Sequence, residues 1–211
     1  MNLKENIDKM RSFFNEKAST DNYDCVHLKM MSNKIAITEA LPDGTKKVFD
    51  LGVGTGLELI PLFERFPDAH VTGIDVSESM LETLKKREFA DKVTCINGDF
   101  FTEDYGTGYD AVISTSALHH FTPEDKLRLF RKAYDSLRDG GMLINSDRYS
   151  PDQETEDNIF KAYEEKKDQF AHFDTPMWYE NELELLKKAG FKEVNAVKLE
   201  YPEYYLVTAV K

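Results

Sequence analysis

Cysteine is scarce in this 211-residue chain: Cys25 and Cys95 are its only two, and they lie far apart in sequence. That excludes a disulfide framework and a cysteine-based metal centre. Cys95 sits within Val93-Thr94-Cys95-Ile96, where a small hydrophobe in a buried strand is the expected role. Positive charge is also short. Twenty-seven Lys and Arg face 39 Asp and Glu, for a net charge of −12. Such a surface repels phosphate backbones, and no Lys/Arg cluster makes a local groove, so no nucleic-acid partner is expected. Long apolar runs are missing, so no membrane span is expected. The opening Met1-Asn2-Leu3-Lys4-Glu5-Asn6 is polar and charged rather than signal-like, and a cytoplasmic protein is the expectation. Repeats and low-complexity tracts are absent. What remains, 41% apolar and 12% aromatic residues, suits one globular domain with a complete core that takes a free small molecule.

The most informative stretch is Lys46-Lys-Val-Phe-Asp-Leu-Gly-Val-Gly-Thr-Gly56. Val48, Phe49 and Leu51 form a short apolar run, as in a parallel strand covered on both faces. It ends in Gly52, Gly54 and Gly56, then turns into a helix over 57–66. Glycines suit a place where a ligand lies on bare backbone, and the helix N-terminus adds unpaired N–H groups. Asp50, two residues before the first glycine, supplies an acceptor suited to a cationic amine. The spacing is Asp-x-Gly-x-Gly-x-Gly, not the Gly-x-Gly-x-x-Gly of a dinucleotide site.

Around this turn the chain alternates strand and helix. Leu3, Ile7, Met10, Phe13 and Phe14 predict an amphipathic helix over 3–18, broken at Ser19-Thr20-Asp21-Asn22, with a second helix over 26–40. Residues 1–44 thus precede the first strand and are expected to pack as a helical cap. Strands are predicted over 71–74, 93–96, 109–114 and 142–145, with helices from Ser77 to Arg87 and from Thr122 to Leu137, the latter stopped by Asp139-Gly140-Gly141. Right-handed crossovers then give an open, mostly parallel sheet with helices on both faces. Residues 150–175, dense in charge, predict a solvated helical insertion, followed by a helix over 180–189 ended by Gly190. The last strands, 191–199 and 204–210, are joined by only Glu200-Tyr201-Pro202-Glu203, which makes them antiparallel if they pair.

Ligands of such sheets sit outside the carboxyl ends of the strands. Those ends carry Asp50 to Gly56, Asp75, Asp99-Phe100, Ser114-Thr115-Ser116 and Asp147. Asp75 is placed to take both hydroxyls of a ribose, and Asp99 to accept from an adenine amino group, with Val76, Met80 and Phe100 around the ring. Asp-Leu-Gly-Val-Gly-Thr-Gly, Gly-Ile-Asp-Val-Ser, Asn-Gly-Asp-Phe and Ala-Leu-His-His-Phe resemble the ordered motifs of class I S-adenosylmethionine-dependent methyltransferases over residues 47–147. The resemblance implies a Rossmann-like, seven-stranded α/β sheet with an antiparallel last strand, filling residues 45–211. It also implies S-adenosylmethionine across the glycine turn, S-adenosylhomocysteine as product, and backbone atoms of Ser114 beside the methionine portion. Phe14, Ala18, Tyr23 and Asp24 approximate a front segment of small bacterial methyltransferases of unassigned substrate. Tyr23 is then either part of a lid over the cofactor or a core tyrosine of the cap.

Methyl transfer from a sulfonium is an in-line displacement by an activated reagent, so a base is needed only where the acceptor must lose a proton. His119, His120 and His172 are the candidates, with Tyr149 and Asp174 also near the acceptor. Being adjacent, His119 and His120 are expected to point apart. His119, His120 and Asp147 lack a diagnostic metal spacing, and no metal is predicted. Trp178, Tyr179, Tyr201, Tyr204 and Tyr205 are assigned to packing, with a pocket for a flat or cationic acceptor as the alternative. Two other functions fit parts of the pattern. One is a protein that holds S-adenosylmethionine without turning it over, or that uses it for different chemistry. The other is a nicotinamide-dependent oxidoreductase, against which stand the glycine spacing, the antiparallel finish and Asp99. Nothing in the sequence sets an oligomeric state or the acceptor atom.

Overall fold

A computed structural model describes residues 3–18, 23–166, 168–169 and 174–211. The strands are β1 Lys47–Leu51, β2 His70–Asp75, β3 Val93–Asn97, β4 Tyr109–Thr115, β5 Leu137–Arg148, β6 Val194–Lys198 and β7 Tyr204–Val210. They form one sheet in the order β3-β2-β1-β4-β5-β7-β6. The pairs from β3 across to β5 are parallel, whereas β7 runs antiparallel to both β5 and β6. Strand order therefore reverses between β1 and β4, the switch point where α/β sheets open a crevice.

Period-two alternation feeds a core on each face. Phe49, Leu51 and Val112 join one cluster with Leu129, Phe130 and Leu186. Val48, Ala111 and Ile113 join the other with Ile37, Leu59 and Leu84. The helices are α1 Leu3–Ala18, α2 Tyr23–His27, α3 Met31–Ala40, α4 Leu59–Arg65, α5 Glu78–Leu84, α6 Pro123–Ser136, α7 Gln153–Lys166 and α8 Tyr179–Ala189. Ser77 caps α5 by accepting from the Met80 N–H at 3.2 Å, and Thr122 with Pro123 opens α6. Gly190 ends α8 in the left-handed region (φ 115°). α1 packs against α5, and α3 against α4, β5 and β7. No helix among the described residues is long and apolar enough to cross a membrane.

Among the boundaries that differ from the sequence reading, three change how an element begins or ends. The second helix is split, because Met30 leaves the helical region (φ −104°, ψ 24°) between the short turn Leu28–Met30 and α3. α5 stops at Leu84 rather than Arg87, since Lys86 and Arg87 tighten into bonds three residues back. Asp139-Gly140-Gly141 does not separate α6 from β5 but lies inside that strand. Leu137 pairs with Tyr109 and Met142 with Ala111, so residues 138–141 bulge opposite Asp110. α7 lies within residues 150–175 and is anchored where buried Glu156 accepts from the Trp178 N–H and from Asn181 Nδ2.

Candidate functional site

The first wall of the site comes from the turns that follow β1, β2 and β3. The glycine turn folds back over β2, with the Gly52 and Val53 N–H groups donating to the Ile74 carbonyl at 2.9 and 3.2 Å. A Cβ on Gly52 would stand 2.6 Å from that of Ala117, so only glycine lets the turn after β4 come this close. Gly54 has the opposite environment. A Cβ there would make only ordinary contacts, with the Gly52 carbonyl at 3.8 Å and Asp75 Oδ2 at 3.9 Å, so no neighbour crowds the backbone where it lines the cavity. Asp75, half-buried at the end of β2, clamps this turn: Oδ2 accepts from Gly54 N–H at 2.9 Å and Oδ1 from Ser77 N–H at 2.8 Å. Burial pushes its pKa up to about 6, against the pull of the two amides and with a smaller push from the Glu58 charge. Burial also pushes Asp99 upward, but the Thr102 hydroxyl (2.6 Å) and the Phe101 and Thr102 amides outweigh it and hold the carboxyl below the usual range.

These turns line a cavity of about 510 Å³. Gly52, Gly54, Asp75 and Asp99 reach it, as do Val76, Met80 and Phe100. Tyr23 lines it too, its ring stacked on His27 at 4.0 Å, and the pKa of its hydroxyl is raised by burial and by the Asp75 charge. The neighbouring Asp24 ties α2 down by accepting from Thr55 Oγ1 at 2.7 Å and pairing with Arg87.

Other predicted residues fall outside the lining. Asp50 shares the β1 face of Val48 and is fully buried behind Glu58, which does line the cavity. Burial and the Glu58 carboxyl raise the Asp50 pKa well above the usual range, while Lys34 contacts Glu58 at 3.3 Å. Gly56 serves packing, since a Cβ there would press on Leu84 at 3.2 Å. β4 continues one residue past Ser114, whose hydroxyl donates to the Leu51 carbonyl at 2.8 Å. Thr115, Ser116 and Ala117 take its place at the rim, Ser116 in the left-handed region (φ 52°). Tyr149 is turned into the core, where it bonds Glu182 and Asn145. His172 lies outside the described residues.

The other end of the cavity is built around the short turn Leu118–His120. His119 and His120 do not point apart, because this turn is neither regular helix nor strand. Their ring centroids are 4.1 Å from each other and both rings are buried. Asp147 at the end of β5 organises the turn: Oδ2 accepts from the Leu118 and His119 N–H groups at 2.9 and 3.1 Å, and Oδ1 meets His119 Nδ1 at 2.6 Å. Asp174 approaches from the other side, 3.0 Å from His120 Nδ1 and 3.9 Å from His119 Nε2. Burial works to lower the His119 pKa, but the Asp147 and Asp174 carboxylates outweigh it and hold the ring above its ordinary value. Asp147 is held low because the His119 charge and hydrogen bond overcome the effect of burial.

Several lining residues escaped the sequence reading. Met10 comes from the apolar stripe of α1, and Lys17 from the same helix outside that stripe. Arg148 comes from the end of β5; Tyr204, for which a pocket was the alternative to packing, opens β7 with its Oη 3.2 Å from Ser116 Oγ. Of the late aromatics only Tyr204 reaches the cavity; Tyr179 stacks on Tyr205 at 4.7 Å, as assigned.

Residues 48–141 match the family model of a methyltransferase domain. Carboxy-S-adenosyl-L-methionine synthase of Nautilia profundicola is 29% identical over 168 residues, which span 72% of this chain and 71% of that protein. Phosphoethanolamine N-methyltransferase of Plasmodium falciparum is 24% identical over 218 residues, 97% of this chain and 79% of that one. Among solved structures, a Nostoc punctiforme protein is 25% identical with a TM-score of 0.71, covering 86% of this chain. This chain spans 57% of that structure's length. Human N-acetylserotonin methyltransferase, solved with S-adenosylmethionine, shares the fold at 18% identity and a TM-score of 0.62, over 94% of this chain and 62% of the human one.

Proposed function

We propose that the chain is a class I S-adenosylmethionine-dependent methyltransferase, a reading its methyltransferase-domain match and its fold support, and that it methylates a small molecule held between its cofactor turn and the His119–His120 turn. The observation that carries this reading is the convergence of Gly52, Gly54 and Asp75 on one cavity that has a second, differently built polar end.

The residues fit the cofactor. The bare backbone at Gly54 leaves a cradle that any side chain would fill. Each Asp75 oxygen accepts one amide, which leaves a second lone pair for a ribose hydroxyl. Val76, Met80 and Phe100 give an apolar slot for the adenine, with Asp99 at its edge. Tyr23 on α2 covers the opposite side, latched through Asp24. When bound, S-adenosylmethionine supplies a methyl group already activated for displacement. The protein's part is then orientation and exclusion of water. His119, His120, Asp174, Arg148 and Tyr204 form the end that receives the acceptor, with Phe14 of α1 roofing it edge-on to His120 at 5.6 Å. In this reading residues 1–44 and the insertion at 150–175 act as covers of the Rossmann-like body. The net charge of −12 supports a free small molecule over a nucleic acid.

Calorimetric titration with S-adenosylmethionine, S-adenosylhomocysteine and NADH tests the proposal. Saturable binding of the first two and none of the third is expected, and binding of NADH alone overturns it. Asp75→Ala is expected to weaken cofactor binding by roughly 2–3 kcal/mol, the worth of hydrogen bonds to a charged acceptor. An unchanged affinity in that variant overturns the placement of the ribose.

A further inference from the structure

We propose that His119, His120 and Asp174 form a binding site for a divalent transition-metal cation, zinc in chemical class, at the acceptor end of the cavity. One ligand atom from each of the three lies within 4.8 Å of the other two. Donors about 2.0–2.2 Å from one ion stand roughly 3–4 Å apart, and the 3.0 Å and 3.9 Å approaches of Asp174 Oδ1 to the two rings fall in that span. The third separation, between the two rings, is no more than 4.8 Å and closes by a small rotation of one imidazole, while Asp174, the most exposed of the three at 35%, follows the ion.

The surroundings are those of a metal-binding histidine. Asp147 Oδ1 engages His119 Nδ1 at 2.6 Å, while its Oδ2 is fixed by two backbone amides. Such a carboxylate holds the proton on Nδ1 and presents the Nε2 lone pair outward, toward Asp174. His120 is set by its own contacts: Asn6 Nδ2 donates to its carbonyl at 3.4 Å and Phe14 packs edge-on to its ring. Arg148 Nη1 lies 3.8 Å from Asp174 Oδ2, leaving Oδ1 as the inward oxygen. Two imidazole nitrogens and one carboxylate oxygen suit zinc, cobalt or nickel better than magnesium or calcium, which take oxygen ligands. Three protein ligands that face a cavity also leave a coordination position open, as in reactive rather than structural sites.

The role in transfer rests on the methyltransferase reading, whereas the site itself does not. An acceptor hydroxyl or thiol on the cation becomes more acidic. It loses its proton to solvent, and the freed electron pair attacks the methyl carbon. The carbon–sulfur bond of the sulfonium breaks with its pair remaining on sulfur.

The test uses the full chain, stripped with a chelator and dialysed, then titrated with cobalt(II) chloride by calorimetry and visible absorption. One equivalent is expected to bind, with ligand-field bands of a low-coordinate site. His120→Ala and Asp174→Asn are expected to abolish both signals. Asp147→Asn, which removes only the orienting partner of His119, is expected to weaken binding by about 10–100-fold. Far-ultraviolet circular dichroism establishes that each variant is folded, and Asp174→Asn carries the test if His120→Ala is not. Absence of binding to the unaltered protein, or undiminished binding in the folded ligand variants, overturns the proposal. Parallel titration with S-adenosylhomocysteine separates the two ideas: cobalt binding without cofactor binding breaks the methyltransferase reading alone, and the reverse breaks this one alone.

Discussion

The two ends of the cavity are built by different means. At the cofactor end most contributors sit at or just after the end of their own strand: Gly52 and Gly54 after β1, Asp75 and Val76 at β2, Asp99 and Phe100 after β3, with Met80 of α5 and Tyr23 of α2 completing it. The parallel register brings those turns side by side, with Leu51 beside Ile74 and Ser114 and with Asp75 beside Asn97. The acceptor end has no such local grammar. It joins α1 through Asn6 and Phe14, the turn at His119 and His120, the end of β5 at Asp147 and Arg148, then Asp174 and Tyr204. One end follows mainly from strand order, whereas the other needs distant parts of the chain brought together.

If that contrast holds, damage to the scaffold behind the acceptor end should leave the cofactor end intact. Lys126 and Glu182 form a fully buried ion pair at 2.8 Å, and Glu182 also takes Tyr149 Oη and Asn145 Nδ2. This network joins α6 and α8 to the strand that carries Asp147. Lys126→Met strands the Glu182 charge in the core and is expected to cost roughly 3–5 kcal/mol of stability in denaturant unfolding. The affinity for S-adenosylhomocysteine, measured where the variant is folded, is expected to match the unaltered protein. A large fall in affinity breaks the independence of the two ends.

The converse substitution belongs at the glycine turn. Gly54→Val puts a branched side chain into the space the cofactor is assigned, at a φ of 49° that such residues avoid. Cofactor binding is expected to fall by a hundredfold or more, on the order of 3 kcal/mol, while the melting temperature drops only as far as local strain of about 1–3 kcal/mol requires. Normal binding would mean that the cofactor does not cross this turn.

The same contrast decides what could be read from the residues alone. The sheet, its reversed last strand and the cofactor turns follow from local patterns: apolar runs, glycine spacing and an acid at each strand end. At this end the structure departs from the sequence reading in side-chain direction. Asp50 lies on the far face of β1 because strand residues alternate, and Ser114 is displaced because β4 runs one residue longer than its apolar pattern suggests. At the acceptor end the histidines were noticed, but their convergence was not. It depends on a single turn of tight helix at 118–120 and on two carboxylates 28 and 54 residues further along, Asp147 for His119 and Asp174 for His120. No periodicity encodes that approach.

The smallest expected effect is also the most specific to the cofactor end. In the unliganded protein Asp75 carries a pKa of about 6, above the ordinary 3.8, because burial penalises its charge. For fold stability the sign follows directly. A carboxyl raised on folding favours the folded state below its unfolded value, and that contribution is lost as pH climbs through about 6. Cofactor affinity moves the opposite way, since ribose hydroxyls donate to the ionised carboxylate and not to the protonated acid. With a midpoint near 6, roughly one-tenth of Asp75 is ionised at about pH 5 and nearly all of it at about pH 8, so affinity is expected to be about tenfold weaker at the lower pH. Calorimetry with S-adenosylhomocysteine across this range, compared with Asp75→Asn, isolates the effect. The variant has no carboxylate to titrate and should bind more weakly but with a flatter profile. Equal pH dependence in the two would move the titrating group from the cofactor end to the acceptor end.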